Sequence, residues 1–520
     1  MNETAGIVGI LVGAATRNPG GFLKRVEIVN NAVNGVVWGV PALALLALVG
    51  ILMTVLTEVF QVTHFGHWMK KTIGAVFRDK QVTSHTKDKS ITQFQSLCTA
   101  LAATVGTGNI VGVAGAILSG GPGAVFWMWV MAFLGMMTNY SENVLGIFYR
   151  RKNSKGEWSG GAMYYLRDGL GSKKGCKGIG KVLAGLFAFF CLVASFGIGN
   201  MTQVNAISGH METVFHLPTW VTGAVVMILV GLVVVGGLKR IASVTEKIVP
   251  FMVIIYMLGT ITIFILHINQ IGAVFGSIFR GAFGLQAAAG GVVGYGIKLA
   301  IEWGMKRGVF SNEAGLGSSV MVHSNSNVKE PVKQGMWGIF EVFADTIVVC
   351  TLTAFAVLSS GLIDLNSGEL AAEFSGLTKN DLVAAVFEQK FGMIGSAFIA
   401  VSIALFAFST VLGWSHYGTK ACEYLLGEKR TIPYRILFVL LVFGGAVMGD
   451  NLAWDLADTF NGLMMIPNLI GVIAMSGVVA KITKNYIDRH IRGLQVEPMY
   501  SAFPDVQKDE EDAPPTDEDD

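Results

Sequence analysis

Long apolar runs dominate the chain, each close to the roughly 20 residues a helix needs to cross a bilayer. They fall near 37–59, 93–118, 123–148, 180–208, 219–238, 247–266, 281–305, 336–358, 393–417, 434–449 and 459–480. These eleven runs predict an all-α membrane protein of about eleven transmembrane helices. One run is interrupted. In Thr99-Ala-Leu-Ala-Ala-Thr-Val-Gly-Thr-Gly-Asn109, the residues Gly106, Thr107, Gly108 and Asn109 break the helix near its middle. Backbone groups freed there cannot face lipid, because each unsatisfied group costs several kcal/mol. They must line a protein cavity that holds a polar solute, the arrangement of a secondary transporter.

Charge gives the runs an orientation. Lys and Arg crowd 64–90, 149–181, 239–247, 306–333, 420–435 and 481–492, whereas 209–218, 267–280 and 450–458 hold one between them. With eleven spans this alternation predicts an external N-terminus and a cytoplasmic C-terminus in a cell membrane. No cleaved signal peptide is expected within residues 1–30. The expected segments are an external 1–35, an extra helix 36–60, a basic loop 61–92, core segments 93–268 and 281–480, and a tail 481–520. The last twenty residues, from Ser501, are a polar tail, and Asp509–Asp520 is so acidic and so poor in apolar residues that it is expected to stay unfolded.

Composition sharpens this picture. Of 520 residues, 52% are hydrophobic and only 14% charged, with 65 Gly against 12 Pro, which suits closely packed membrane helices. A net charge of +2 gives no footprint for nucleic acid. Five scattered Cys form neither a disulfide framework nor a metal spacing. No nucleophile elbow, phosphate loop or soluble catalytic domain is present, so an enzyme is not expected. A channel would favour symmetric pore segments, which the chain lacks.

The first break supplies amino-acid chemistry. A half-helix starting after Gly108 presents free N–H groups and a positive dipole end to a carboxylate. Carbonyls from Ala102 to Val105 suit a cation, and Thr107 and Asn109 add side-chain oxygen. Further on, Ser409 and Thr410 are adjacent hydroxyls in an apolar run, the neutral oxygens a dehydrated Na⁺ needs. Trp414, four residues after Thr410, shares its helical face and is expected to wall the pocket. Gln203 is a candidate for the solute's ammonium or carboxylate, with Asn200 and Asn205 competing and helix–helix bonding the other use of such amides. Glu142, Glu302, Glu341 and Asp345 are carboxylates in or near spans, expected to form gate ion pairs with nearby Lys and Arg.

Four motifs resemble those of the sodium:alanine symporter family. They are Gly106-Thr-Gly-Asn-Ile-Val-Gly112, Gly120-Gly-Pro-Gly-Ala-Val-Phe-Trp-Met-Trp-Val-Met-Ala-Phe-Leu-Gly135, Arg307-Gly-Val-Phe-Ser-Asn-Glu-Ala-Gly-Leu-Gly-Ser318 and Phe406-Ala-Phe-Ser-Thr-Val-Leu-Gly-Trp-Ser-His-Tyr417. The resemblance spans about residues 30–490. It implies a LeuT-type fold: two inverted five-helix repeats, broken first and sixth core helices, and one extra helix in front. It also implies one Na⁺ site, with Ser409 and Thr410 opposite the carbonyls of Ala102 and Val105. The second break is then expected in Gly290-Gly-Val-Val-Gly-Tyr-Gly296, so that Gly290 and Gly294 line the substrate pocket with Gly106, Thr107, Gly108, Asn109, Gln203, Thr410 and Trp414. On that placement Lys306 and Arg307 mark the cytoplasmic end. Phe310, Asn312 and Glu313 lie at the inner mouth as gate candidates with Glu142 and Asp345. The opposite placement sets Phe310–Glu313 in the pocket; it would bring Lys306 and Arg307 to the midplane, which is costly.

The implied function is import of a small neutral amino acid, alanine and also glycine, with Na⁺ as the co-transported ion. Glutamine or serine as solute, or H⁺ as ion, are the alternatives. The expected partners are the amino acid and the lipid bilayer, with no nucleic acid and no obligatory protein.

Overall fold

The computed structural model describes residues 22–84, 90–284, 292–449 and 451–512. After a first helix, Phe22–Val37, the main helices are α1 Val40–Leu56, α2 Gln93–Thr104, α3 Val113–Gly120, α4 Gly123–Phe148, α5 Lys177–Phe196, α6 Thr202–Phe215, α7 Thr219–Val234 and α8 Gly237–Leu266. They continue with α9 Val292–Asn312, α10 Val320–His323, α11 Pro331–Val342, α12 Thr351–Ser359, α13 Met393–Leu426, α14 Thr431–Val447, α15 Asn451–Ala474, α16 Ser476–His490 and α17 Pro504–Asp512. Among the described residues, seven helices are long and apolar enough to cross a membrane, and a bent pair makes an eighth.

That pair is the interrupted run. Thr92 and Gln95 form a reciprocal capping box at the start of α2, at 3.0 and 3.2 Å, which fixes where the helix begins. α2 ends at Thr104, a π-helical turn covers Gly108–Gly112, and α3 leaves at 51° to α2. α2 packs between α8 and α13, while α9 packs between α4 and α3. α4 in turn packs on α11, and α5 and α6 pack on α13. Both interrupted elements therefore sit inside the bundle.

An interruption among the described residues follows Asn312. Gly290 falls outside the described residues. The helix containing Gly294 runs unbroken from Val292 to Asn312, past the expected end at 305. The chain opens after Asn312: Glu313, Gly315 and Gly317 all have positive φ (55°, 92° and 73°), and the helix resumes only as α10. The charges of Lys306 and Arg307 are matched locally. Lys306 Nζ pairs with Asp458 at 3.1 Å and lies over Trp38 at 5.3 Å. The Arg307 guanidinium lies 5.4 Å from the Trp303 ring and 5.3 Å from that of Phe310. Charges matched this way do not mark a membrane surface.

The basic loops gather at one end of the bundle. There the Arg150 guanidinium donates to the carbonyls of Ser326 (2.7 Å) and Val328 (2.6 Å), and Arg489 pairs with Glu330 at 2.5 Å. At the opposite end His210 Nε2 lies 3.1 Å from the Asn380 carbonyl, tying α6 to the segment 359–391. The described part of the tail, residues 501–512, is packed on the basic end, with α17 as its last element.

Candidate substrate and cation site

The first break turns on Gly106. Its amide donates to Asn109 Oδ1 at 2.9 Å, so the asparagine caps the loosened turn from within. A Cβ at Gly106 would collide with the Thr410 hydroxyl of α13. One residue earlier on α13, Ser409 Oγ lies 3.3 Å from the Ala102 carbonyl. Val105, fully buried, ends α2 between these two contacts. Ser409 and Thr410 also donate to the Phe406 carbonyl, at 2.8 and 3.0 Å. The structure thus brings Ala102, Val105, Gly106, Ser409 and Thr410 to one joint, and its oxygens carry no formal charge.

Thr107 and Gln203 meet across that joint. Thr107 Oγ1 donates to Gln203 Oε1 at 3.1 Å, while Gln203 Nε2 donates to the Ile198 carbonyl at 3.0 Å. The competing amides bond to neighbouring segments, Asn200 donating to the Phe438 carbonyl and Asn205 to that of Met448, both at 2.7 Å, although Asn205 also borders the cavity that Gln203 lines. These two serve helix–helix bonding.

The second break converges on the first. The Phe310 ring sits 3.5 Å from where a Gly108 Cβ would stand. Ser311 Oγ and Asn109 Nδ2 both donate to the Asp345 carboxylate, at 2.8 and 2.7 Å, and Thr346 Oγ1 adds a third donor at 2.7 Å. Asn312 Nδ2 donates to Thr346 Oγ1 at 3.1 Å, and its Oδ1 caps the amide of Ala314 at 3.0 Å. Glu313 accepts from Trp414 Nε1 at 3.0 Å and from Ser318 at 2.5 Å. Phe310 to Glu313 therefore border the first break, not a distant mouth. The signal was in the sequence: Asn312-Glu-Ala-Gly315-Leu-Gly317 repeats the polar, glycine-rich character of Gly106–Asn109.

Three of the four candidate carboxylates, Glu142, Glu341 and Asp345, are held by Asn, His, Ser or Thr side chains. Glu142 accepts from Asn468 at 2.5 Å, and Asn468 also reaches the Gly315 carbonyl at 2.9 Å and accepts from Tyr165. Glu341 lies 2.9 Å from His323 Nε2 and accepts from Asn139 at 3.2 Å. Asp345 is held by the three neutral donors named above. Buried carboxylates in an apolar bundle need hydrogen-bond donors at close range, and neutral side chains supply them without bringing in a second charge to desolvate. Glu302 does pair, with Lys298 at 3.8 Å, at a more exposed position. No group of His, Cys, Asp and Glu able to hold a metal occurs among the described residues.

A cavity of about 500 Å³ opens from this joint. Thr107, Gly108, Gln203 and Phe310 line its floor, and Arg307, Lys379, Asp455 and Asp458 line its way toward the opposite end. Glu142, Asn468, His323 and Glu341 are fully buried and do not line this cavity. Two broken helices crossing at a polar joint, reached by a cavity from one side, define a secondary transporter of the LeuT type. The solved structure of MhsT in complex with L-phenylalanine matches this fold with a TM-score of 0.50 at 13% identity, covering 77% of this chain and 99% of that one.

The chain belongs to the sodium:alanine symporter family, whose profile matches residues 23–500. It is 43% identical over 456 residues to the sodium/alanine symporter AgcS of Methanococcus maripaludis, covering 88% of this chain and 96% of that one. It is 36% identical over 462 residues to the probable sodium/glutamine symporter GlnT of Bacillus subtilis, covering 88% and 90%. It is a multi-pass membrane transporter, not an enzyme.

Proposed function

We infer that this protein imports a small neutral amino acid, alanine and with it glycine, together with Na⁺ by alternating access. The observation that carries this reading is the joint itself. The α2 carbonyl of Ala102 meets Ser409, and Gly106 meets Thr410, next to the Thr107–Gln203 pair. A cation bound between α2 and α13 would draw these helices together and shape the adjoining substrate pocket. The helical start at Gly108 suits the carboxylate, and the oxygens of Gln203 and Thr107 suit the ammonium. The relation to a sodium/alanine symporter supports the same choice of solute and ion. The basic end is assigned to the cytoplasm, so the cavity in this structure faces outward.

The choice of alanine over glutamine takes Trp414, which lies outside the lining of the cavity in this structure, as the wall that limits side-chain size, and its indole is fixed in place. Its indole donates to Glu313, packs edge-on to Tyr417 at 5.3 Å, and lies so close to Gly199 that no Cβ fits there. A Trp414→Leu variant is expected to admit larger neutral amino acids, lowering alanine selectivity about tenfold, as competition uptake would read; an unchanged substrate range removes Trp414 from the pocket wall. A Ser409→Ala variant is expected to raise the Na⁺ concentration for half-maximal uptake about tenfold while leaving maximal uptake largely intact, because one of several cation oxygens is lost.

Uptake of labelled alanine into liposomes tests the reading, with an inward Na⁺ gradient compared with choline and with a proton gradient. Uptake that requires Na⁺ is expected. Uptake driven by protons alone would replace the ion. No uptake of alanine under any gradient would replace the solute.

A further inference from the structure

The C-terminal segment is built into the basic end. Met499, Ala502 and Phe503 pack against the main apolar core. The Ala502 amide donates to the carbonyl of Phe148, the last residue of α4, at 2.9 Å. The Arg151 guanidinium stands 3.9 Å over the Phe503 ring. Gln507 Oε1 accepts from the amides of Tyr500 and Ser501, at 2.8 and 2.9 Å, which fixes the turn into α17. On α17, Glu510 pairs with Arg150 at 3.5 Å, and its carbonyl accepts from Lys329 at 3.3 Å.

Arg150 gives these contacts their reach. It is only 3% exposed and holds the carbonyls of Ser326 and Val328, just beyond α10. The same short segment is tied to the start of α2. The Ile91 amide donates to the Asn325 carbonyl at 3.1 Å, and the Asn327 amide donates to the Ile91 carbonyl at 2.9 Å. The basic-end halves of both broken helices thus meet at residues 324–328, and one arginine joins that meeting point to the tail.

We propose that residues 493–512 form a strap that restrains opening of the basic end. The inference rests on the alternating-access reading, in which α2 and α10 must separate at that end to release the solute. Separation moves segment 324–328, and with it Arg150, away from Glu510, and draws the next residue, Arg151, off the Phe503 ring. A cation–π contact and a partly buried charge pair must break in the same step, so the strap slows opening without touching solute or ion. Its occupant is the chain's own acidic helix, whose charge complements Arg150, Arg151 and Lys329.

The test compares the full-length protein with a Phe503→Ala/Glu510→Gln double variant and with a chain truncated after Gly493. Two quantities are read: alanine counterflow in liposomes, and hydrogen exchange of the backbone amides of residues 322–328. The double variant is expected to raise both about fivefold at low ionic strength, and truncation to raise them further. If the truncated chain does not fold, the double variant decides. A folded variant in which either quantity stays at or below the full-length value overturns the strap. Absence of counterflow in the full-length protein counts against the transport reading, and hydrogen exchange then decides the strap by itself.

Discussion

A Gly106→Ala variant is expected to lose Na⁺-driven uptake by at least about 100-fold while still folding and inserting. The added methyl has nowhere to go. It points at the Thr410 hydroxyl, and behind it stands Gln203, whose oxygen lies 3.7 Å from the same point. Relieving the overlap means pushing α13 away from the first break. Inserting a methyl into packed space typically costs 1–3 kcal/mol. Here the displacement also pulls apart the oxygens of Ala102, Ser409 and Thr410, so the loss falls on the ion and the solute together. A Gly115→Ala variant is the control, because its added methyl lies 3.4 Å from the flexible side chain of Lys379. Near-normal uptake by Gly106→Ala, in protein with unchanged Na⁺ dependence, would mean that the joint does not carry transport.

The second large effect is expected at Asp345. This carboxylate accepts from Asn109 of the first break, Ser311 of the second, and Thr346 of its own helix. It is fully buried, on the π-helical stretch Phe343–Cys350 between α11 and α12. An Asp345→Ala variant removes the shared acceptor of three donors and leaves Asn109 and Ser311 with only the weaker Cys350 sulfur and the residue-345 carbonyl, at about 1–3 kcal/mol for each donor left unsatisfied. Both a lower melting temperature and at least about a 100-fold loss of uptake are expected, because the two broken helices lose their common anchor. Asp345→Asn keeps the shape and one acceptor oxygen, so a smaller loss, about tenfold, is expected. Thermal unfolding and initial uptake rates, measured on both variants, check this ordering. A stable Asp345→Ala protein that transports normally would show that the anchor is dispensable.

Much of the site could be read from the chain because its cues are local. Gly106-Thr-Gly-Asn109 is too polar for a lipid-facing turn, and the structure breaks the helix there. Ser409 and Thr410 are adjacent hydroxyls in an apolar helix, and the structure sets them against α2. The break after Asn312 is harder to read because its cues are not local. Lys306 and Arg307 look like the end of a span until Asp458, some 150 residues later, and the rings of Trp38, Trp303 and Phe310 are seen around them. The carboxylates were matched to basic residues nearby in sequence, whereas Glu142 finds its partner in Asn468 and Glu341 in His323. The end of the tail, Asp509–Asp520, has the composition of an unfolded acidic segment. The described part of the tail is held by Arg150, Arg151 and Lys329, which composition alone cannot bring to it.

The central claim is that Na⁺ and alanine bind at one joint and therefore favour each other. Alanine affinity should be measured on the purified protein across a range of Na⁺ concentrations, and Na⁺ affinity with and without alanine. Linkage requires each ligand to tighten the other by the same factor, expected here to be at least about tenfold. Alanine affinity that does not change with Na⁺ would contradict the account.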